Sequence, residues 1–146
     1  MNELEITAKV ALANTFVMYF KAHSFHWNVE GKDFAQMHGF FGDFYDELYD
    51  AVDPMAEEIR ACGYYAPRSM NELYSYKTVV DSNEATNVNE MLMDLVQANT
   101  TTLESLNKLF DILSAAKKQG FANFVADRID AHEKHGWMLR SFLKGE

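Results

Sequence analysis

The chain has 146 residues, of which 48% are hydrophobic, and its formal net charge is −9. This composition excludes a disordered polypeptide, and the length predicts a single domain that spans residues 1–146. The acidic charge argues against nucleic-acid binding, because neutralising phosphate groups requires clustered Lys and Arg side chains.

The first predicted helix begins at a capping pair, Asn2 and Glu5, whose spacing is typical of a helix N-terminus. Apolar residues at helical spacing continue from there to about Asn28. The sequence EGKD follows and predicts the turn to the next helix, because it is polar and contains a glycine.

A second predicted helix begins near Asp33, runs to about Cys62 and ends at Gly63. Pro54 lies inside it and cannot donate a backbone hydrogen bond. We therefore expect a kink at Pro54, or a local restart of the helix with Asp53 as its N-cap.

The rest of the chain predicts a long connection followed by two more helices. Residues 63–87 form the connection, in which SMNELYSY is a candidate short helix. Asn87 and Glu90 make a second capping pair at the start of the third long helix, which we expect to end at AKKQG with Gly120 as its C-terminal glycine. Four long helices with one crossover predict an all-α fold, the ferritin-like four-helix bundle, with one long crossover that carries a short helix.

Four positions of the second helix form a band beside its apolar ridge. At 100° per residue, His38, Gly42, Asp53 and Glu57 fall within roughly 100° of arc. One imidazole and two carboxylates are ligands that suit iron, zinc or manganese. About 28 Å of straight helix separates His38 from Glu57, however, so a single chain cannot bring both to one ion.

A second copy of the chain would remove this difficulty. If two copies of the second helix packed antiparallel about a point near residue 47, His38 of one would face Glu57 of the other. Residue 42 would then face residue 53, and a two-fold axis would give two equivalent sites in each dimer. His26, at the end of the first helix, could complete the imidazole side of each site.

Each of these residues also has an ordinary structural interpretation. A helical histidine beside aromatic residues commonly packs or lies at the surface, and acidic residues near a helix end are commonly solvated. A di-iron site inside one bundle would require Glu-x-x-His motifs, and the sequence contains none. The segment AHEKHGW, with His132, Glu133 and His135, is not H-E-x-x-H, and we expect it to pack or to face solvent.

The segment FHWNVEGKDFAQMHGFFGDFYDELYDAVDPMAEEIRACG resembles the signature of the Dps-type mini-ferritins, the DNA-binding proteins from starved cells. The matching parts are HWNV-x-G, then F-x-x-x-H, then D-x-x-A-E-x-I followed by a glycine. The segment DRIDAHEKHGWMLRSFL is similar to the last helix of that family, so the resemblance covers nearly the whole chain.

The resemblance implies a homo-oligomeric shell of twelve subunits that acts as a ferroxidase. Fe(II) would be oxidised by hydrogen peroxide or dioxygen at di-iron or mono-iron centres between two-fold-related chains, and stored inside as ferric mineral. The catalytic metal ligands would be His26 and His38 of one chain with Asp53 and Glu57 of its neighbour, and Trp27 would lie beside them. Zinc or manganese would be substitutes for iron.

Two features depart from the family pattern. The family has an acidic residue four positions after the second histidine, where this chain has Gly42. Asp43 follows and points about 100° further round the helix, so it would replace that ligand only with a backbone shift. Gly42 therefore marks a weakened centre, or it leaves room for Phe41, Phe44 or a water molecule. The lysine-rich N-terminal tail by which some members hold DNA is also absent, so we expect weak DNA binding or none.

The leading hypothesis is an iron-oxidising storage cage that protects against oxidative damage. One alternative is a metal-binding structural or sequestering shell, for which Gly42 is the argument. Another is a DNA-compacting protein, against which the acidic charge argues. The single cysteine, Cys62, and the lack of a signal peptide or a membrane-spanning apolar run predict a cytoplasmic protein with no membrane partner.

Overall fold

The computed structural model describes residues 1–144, which form five helices and no strand. The helices are α1 (Glu3–Asn28), α2 (Phe34–Ala61), α3 (Met70–Ser75), α4 (Val88–Ala115) and α5 (Gln119–Leu143). α1 packs against α2 and α4, α4 packs against α5, and the short α3 lies in the crossover and contacts α1. The predicted all-α bundle with one helix-bearing crossover is therefore confirmed. None of these helices has the length and apolar character needed to cross a membrane.

Three helices begin at side-chain caps that the local sequence provides. The side chains of Asn2, Ser69 and Asn87 each accept a hydrogen bond from the backbone N–H three residues later, at 2.8, 3.0 and 2.9 Å. Each bond satisfies one of the donors that the first turn of a helix leaves free. Both predicted capping pairs and the predicted short helix are therefore confirmed.

α2 is continuous from Phe34 to Ala61 with Pro54 inside it, so no new helix begins at Asp53. The helix ends where the sequence predicts, and Gly63 follows with φ of 93°, a left-handed conformation that favours glycine. A continuous α2 keeps the whole band of candidate ligands on one element.

α4 ends differently from the expectation. Its last residue is Ala115, and Lys117 follows with a left-handed φ of 58°. The N–H of Lys118 donates to the carbonyl of Leu113 at 2.9 Å, which is the longer bond of a Schellman motif. Gly120 instead lies in the first turn of α5. The predicted C-terminal role of Gly120 is wrong, because the chain turns three residues earlier and uses a lysine to do so.

The core has two apolar halves with polar side chains between them. The buried polar positions of α4 and α5, and two of those on α1, fall between the positions of one apolar cluster and those of the other. Each large apolar side chain in these clusters contributes about 1.5–3 kcal/mol through burial. The intervening set, here called the polar layer, contains Asn14 and Thr15 on α1, Asn99, Thr102 and Ser105 on α4, and Arg128, His132 and His135 on α5.

Asn14 attaches the crossover to the polar layer. Its Oδ1 accepts hydrogen bonds from the backbone N–H groups of Thr78 and Val79 at 2.8 and 3.0 Å, and its Nδ2 donates to the Thr78 hydroxyl at 2.9 Å. These bonds satisfy backbone groups of a segment that has no regular partner. They also hold Val79 in the apolar core, where its side chain is 1% exposed.

Candidate metal centre

His26 and His38 lie side by side where α1 ends and α2 begins. Their rings stack with centroids 3.7 Å apart. Nδ1 of His26 donates to the backbone carbonyl of His38, and Nδ1 of His38 donates to the carbonyl of His26, both at 2.7 Å. Because a carbonyl oxygen only accepts hydrogen bonds, both Nδ1 atoms carry a proton. In the neutral rings both Nε2 atoms therefore keep a lone pair that can bind metal.

The turn between the helices supports this pair of imidazoles. Gly31 has φ of 112°, which lets the chain reverse within the predicted EGKD turn. The ring of Phe34, the first residue of α2, stacks on His38 with centroids 4.9 Å apart. Both imidazoles are half-buried, so they lie at the edge of the bundle rather than in its core.

Asp53 and Glu57, the other two predicted ligands, are exposed on the C-terminal half of α2. They lie about 22 and 28 Å from His38 along the helix axis. Within residues 1–144 of one chain, no three metal-binding side chains come together. The structure therefore brings the two histidines together and leaves the two carboxylates apart from them, as the helix geometry predicts for a single chain.

Gly42 lies against the ring of His26. A Cβ atom at Gly42 would be 3.2 Å from both Cε1 and Nδ1 of that ring, which is closer than ordinary van der Waals contact. His26 therefore takes the space that the glycine leaves, rather than Phe41 or Phe44. Asp43 is exposed, and it makes no hydrogen bond to either imidazole within the described residues. At the position where the family has an additional acidic ligand, this chain therefore has a glycine in contact with the ring of His26.

Beside His26 lies an aromatic cluster that the sequence does not predict. His23 stacks on Tyr45 with centroids 3.8 Å apart, and Nδ1 of His23 is 2.9 Å from the hydroxyl of Tyr19. Tyr45 also meets the ring of His26 edge-on at 5.3 Å. Burial lowers the pKa of His23, and the neighbouring His26 adds to this. Trp27 is 56% exposed, and its ring lies 4.2 Å from that of His23. The available signal was the three-residue spacing of His23 and His26, which puts both on one helix face.

Both predicted roles occur within the C-terminal segment AHEKHGW, because its histidines pack in the bundle and its Glu133 faces solvent. His132 is fully buried and His135 is 4% exposed, whereas Glu133 is exposed. Both histidines belong to the polar layer, so neither is available to the centre at His26 and His38.

A model of the ferritin-like domain family matches residues 9–145. Individual relatives are also similar over nearly the whole chain. The DNA protection during starvation protein of Brevibacillus brevis is 29% identical over 134 residues, which cover 91% of this chain and 89% of that protein. General stress protein 20U of Bacillus subtilis is 28% identical over 132 residues, covering 90% of this chain and 91% of that protein.

Solved structures agree with these sequence matches. Dps from Staphylococcus aureus superposes with a TM-score of 0.92 at 27% identity, covering 99% of this chain and 97% of that chain. The Dps protein of Vibrio cholerae O1, a member of a broad superfamily of ferritin-like diiron-carboxylate proteins, superposes with a TM-score of 0.92 at 24% identity, covering 97% and 89%. The fold, the histidine pair and these matches together show that the chain belongs to the ferritin-like family, as a Dps-type mini-ferritin.

Proposed function

We propose that the protein is a ferroxidase and iron-storage cage, with Fe(II) as substrate and hydrogen peroxide or dioxygen as oxidant. The observation that carries this proposal is the pair of hydrogen bonds that leaves both Nε2 atoms of His26 and His38 free. A hydrogen bond at the other ring nitrogen is the usual way in which proteins orient a metal-binding histidine. The ferritin-like family supports iron as the metal.

The carboxylates of the site come, in this proposal, from a second copy of the chain. Asp53 and Glu57 are exposed and too far along α2 to reach the histidines of their own chain. An antiparallel pair of α2 helices centred near residue 47 would place Glu57 of one chain opposite His38 of the other. The two-fold axis would then give two equivalent sites per dimer. A homo-oligomer of this kind, with twelve subunits as the family resemblance implies, is part of the proposal.

The proposed ligand set fits a redox-active divalent metal. Imidazole nitrogen and carboxylate oxygen suit iron, zinc and manganese, and the two carboxylates offset the charge of Fe(II) and of the Fe(III) product. Two Fe(II) ions supply the two electrons that reduce hydrogen peroxide to water, and two protons are consumed from solvent. Zn(II) has no redox chemistry, so it would bind the same residues and inhibit the reaction.

Gly42 also bears on the alternative of a sequestering shell. The close contact with His26 explains why a glycine occupies this position. The glycine does not, however, replace the carboxylate that other family members have there. We therefore propose that each site has one metal position that fills well and a second that fills poorly. The protein would still oxidise iron, at a lower metal occupancy than a member with the additional acid.

DNA compaction has less support as the main function. The net charge is −9, and three of the 13 Lys and Arg side chains are buried. Each of the three is paired with an acid: Lys9 with Glu5, Lys21 with Asp94, and Arg128 with Glu47. These pairs leave fewer free cations for phosphates, so we propose that DNA binding is weak or absent at physiological salt.

Peroxide consumption in the presence of Fe(II), measured without dioxygen, tests the proposed activity. The wild-type protein should consume peroxide in proportion to added Fe(II), above the protein-free rate. His38→Ala and Glu57→Gln should each lower this rate by more than about tenfold, because each removes a direct ligand. Glu58→Gln, a neighbouring change outside the band, should leave it unchanged. Wild-type rates in both His38→Ala and Glu57→Gln would show that the reaction does not occur at this site.

A further inference from the structure

A second group of imidazole and carboxylate side chains lies between α2 and α5, where both imidazoles are buried and the Glu47 side chain is 38% exposed. Glu47 on α2 reaches α5, where its Oε1 is 2.6 Å from Nε2 of His135. The guanidinium of Arg128 donates to both oxygens of Glu47, with Nη2 3.0 Å from Oε1. The same Nη2 lies 3.2 Å from Nε2 of His132. One cationic nitrogen of Arg128 thus lies between a carboxylate and an imidazole.

Asn99 determines which nitrogen of His132 faces Arg128. Nδ2 of Asn99 donates to the backbone carbonyl of His132 at 2.9 Å, which leaves its Oδ1 to accept from Nδ1 of the ring, also at 2.9 Å. Nδ1 of His132 therefore carries the proton, and Nε2 directs a lone pair at the guanidinium. A metal-binding histidine is oriented in the same way, with an oxygen holding one nitrogen and a cation at the other.

One ring nitrogen of His135 makes no hydrogen bond in the part of the chain that the structure describes. His135 is 4% exposed, and its Nδ1 has no hydrogen-bond partner within the described residues. Its Nε2 donates to Glu47, since a carboxylate oxygen only accepts. The ring proton of His135 can move from Nε2 to the free Nδ1. Nε2 could then bind a metal, and the ring would not have to lose a proton.

The charge of Arg128 has a clear partner here. Burial alone would raise the pKa of Glu47, but the hydrogen bonds from His135 and Arg128 outweigh it and hold that pKa well below its usual range. Nε of Arg128 is buried and has no hydrogen-bond partner among residues 1–144, so the hydrogen bonding of the guanidinium is incomplete. An unmade buried hydrogen bond is unfavourable, which makes neutralisation of Glu47 the stronger reason for an arginine at this position.

We propose that Arg128 is the resident cation of a latent metal site made by Glu47, His132 and His135, and that it keeps divalent metal out of the bundle interior. The interior of a ferritin-like bundle is a place where carboxylates and imidazoles of facing helices can hold metal. With the guanidinium between Glu47 and His132, no three such side chains come together in the described part of one chain. Metal is thereby left to the position at His26 and His38, where a second copy is needed.

Zn(II) titration of a chain that carries His26→Ala and His38→Ala tests this proposal. With Arg128 intact, Zn(II) should leave the ring NMR signals of His132 and His135 unchanged. Adding Arg128→Ala should create about one new site per chain, at least about tenfold tighter than any binding in the parent. His132→Ala in addition should remove that site. Arg128→Lys, which keeps a cation, should not create it.

The proposal is wrong if Arg128→Ala gains no Zn(II), if the gained site survives His132→Ala, or if Zn(II) shifts the two ring signals while Arg128 is present. Should Arg128→Ala fail to fold in metal-free buffer, recovery of its helical circular dichroism with Zn(II) but not with Mg(II) would support the site, since Mg(II) prefers oxygen ligands. Failure to recover with Zn(II) would contradict it. These measurements use Zn(II) in chains that lack His26 and His38, so their outcome does not depend on whether the protein oxidises iron.

Discussion

Gly42 sets how closely α2 can approach the ring of His26. A Cβ atom there would be 3.2 Å from Nδ1 of His26, and this Nδ1 fixes the ring through its 2.7 Å bond to the carbonyl of His38. Gly42→Ala must displace the ring or the helix, and so should weaken this bond. We expect Zn(II) affinity, measured by titration calorimetry, to fall by up to about tenfold, in line with the loss of a histidine's supporting hydrogen bond.

Gly39 provides the matched control for this substitution. It lies on the same helix, and a Cβ atom there would meet no atom within 4 Å. Gly39→Ala should leave Zn(II) affinity unchanged and stabilise the fold by up to about 1 kcal/mol, because alanine is the better helix former. If Gly42→Ala binds Zn(II) as tightly as Gly39→Ala, the contact with His26 is not the reason for the glycine.

His132 makes the stability of the fold depend on pH. Burial lowers its pKa well below the usual value, and the nearby Arg128 and His135 lower it further. The unfolded chain takes up a proton near pH 6.5 that the folded chain does not. The contribution of neutral His132 to the free energy of unfolding is therefore complete above about pH 6.5. Below that pH the free energy of unfolding falls by up to about 1.4 kcal/mol per pH unit, until the pKa of His132 in the folded chain is reached. Glu47, whose pKa is depressed, adds a loss only below about pH 4.3.

Urea unfolding at several pH values between about pH 7 and about pH 5 measures this effect, since that range spans the unfolded pKa of histidine and stays above that of glutamate. His132→Gln removes the titrating ring and should flatten the decline in unfolding free energy. His23, whose pKa is also lowered, titrates in both proteins, so the difference between them isolates His132. Identical pH dependence in the two proteins would contradict the assignment.

At the scale of the elements, helix starts are predictable because their signals are local. Asn2 and Asn87 cap residues only three positions away, so the sequence contains the whole motif. The contact of Glu47 with the polar layer is different, because Glu47 and His135 are 88 residues apart and meet only through the relative register of α2 and α5. The periodicity of one helix does not contain that register. The contact of Gly42 with His26 could not be predicted from the sequence either, because it depends on how α1 packs against α2.

The sequence predicts Gly120 as the C-terminal glycine of α4, but Lys117 is the residue that adopts the left-handed conformation there. Its φ of 58° is costly for a residue with a Cβ, by about 1–2 kcal/mol. Lys117→Gly removes that strain but gives the unfolded chain more freedom, by about 0.5–1 kcal/mol. We therefore expect a net stabilisation of about 0.5–1 kcal/mol from these two effects, measured as unfolding free energy in urea. Lys117→Ala removes the same charge and keeps the strain, so it should give no gain. Equal stability of the two variants would mean that the left-handed residue is not strained.

In the molecule as a whole, one chain brings together only two of the four candidate ligands. The sequence supplies all four candidate ligands, and the structure joins His26 to His38 at the end of the bundle. Asp53 and Glu57 remain exposed on α2, and within residues 1–144 they belong to no group of three metal-binding side chains. In the proposed centre they would meet the histidines at a contact between chains, and the order of residues in one chain does not specify that contact. We therefore propose that two copies of the chain share the ligands of each centre.

Assemblies that mix two variants of the chain test whether the ligands are shared. One variant carries His26→Ala and His38→Ala, the other carries Asp53→Asn and Glu57→Gln, and each alone should lack peroxide-dependent oxidation of Fe(II). When the two are co-expressed in equal amounts, half of the two-fold pairs contain one chain of each kind, and each such pair has one intact site out of two. The mixture should therefore regain about a quarter of wild-type activity, as two-fold symmetry requires. No activity in the mixture, with both variants shown to be in the same assemblies, would contradict a centre that is shared between chains.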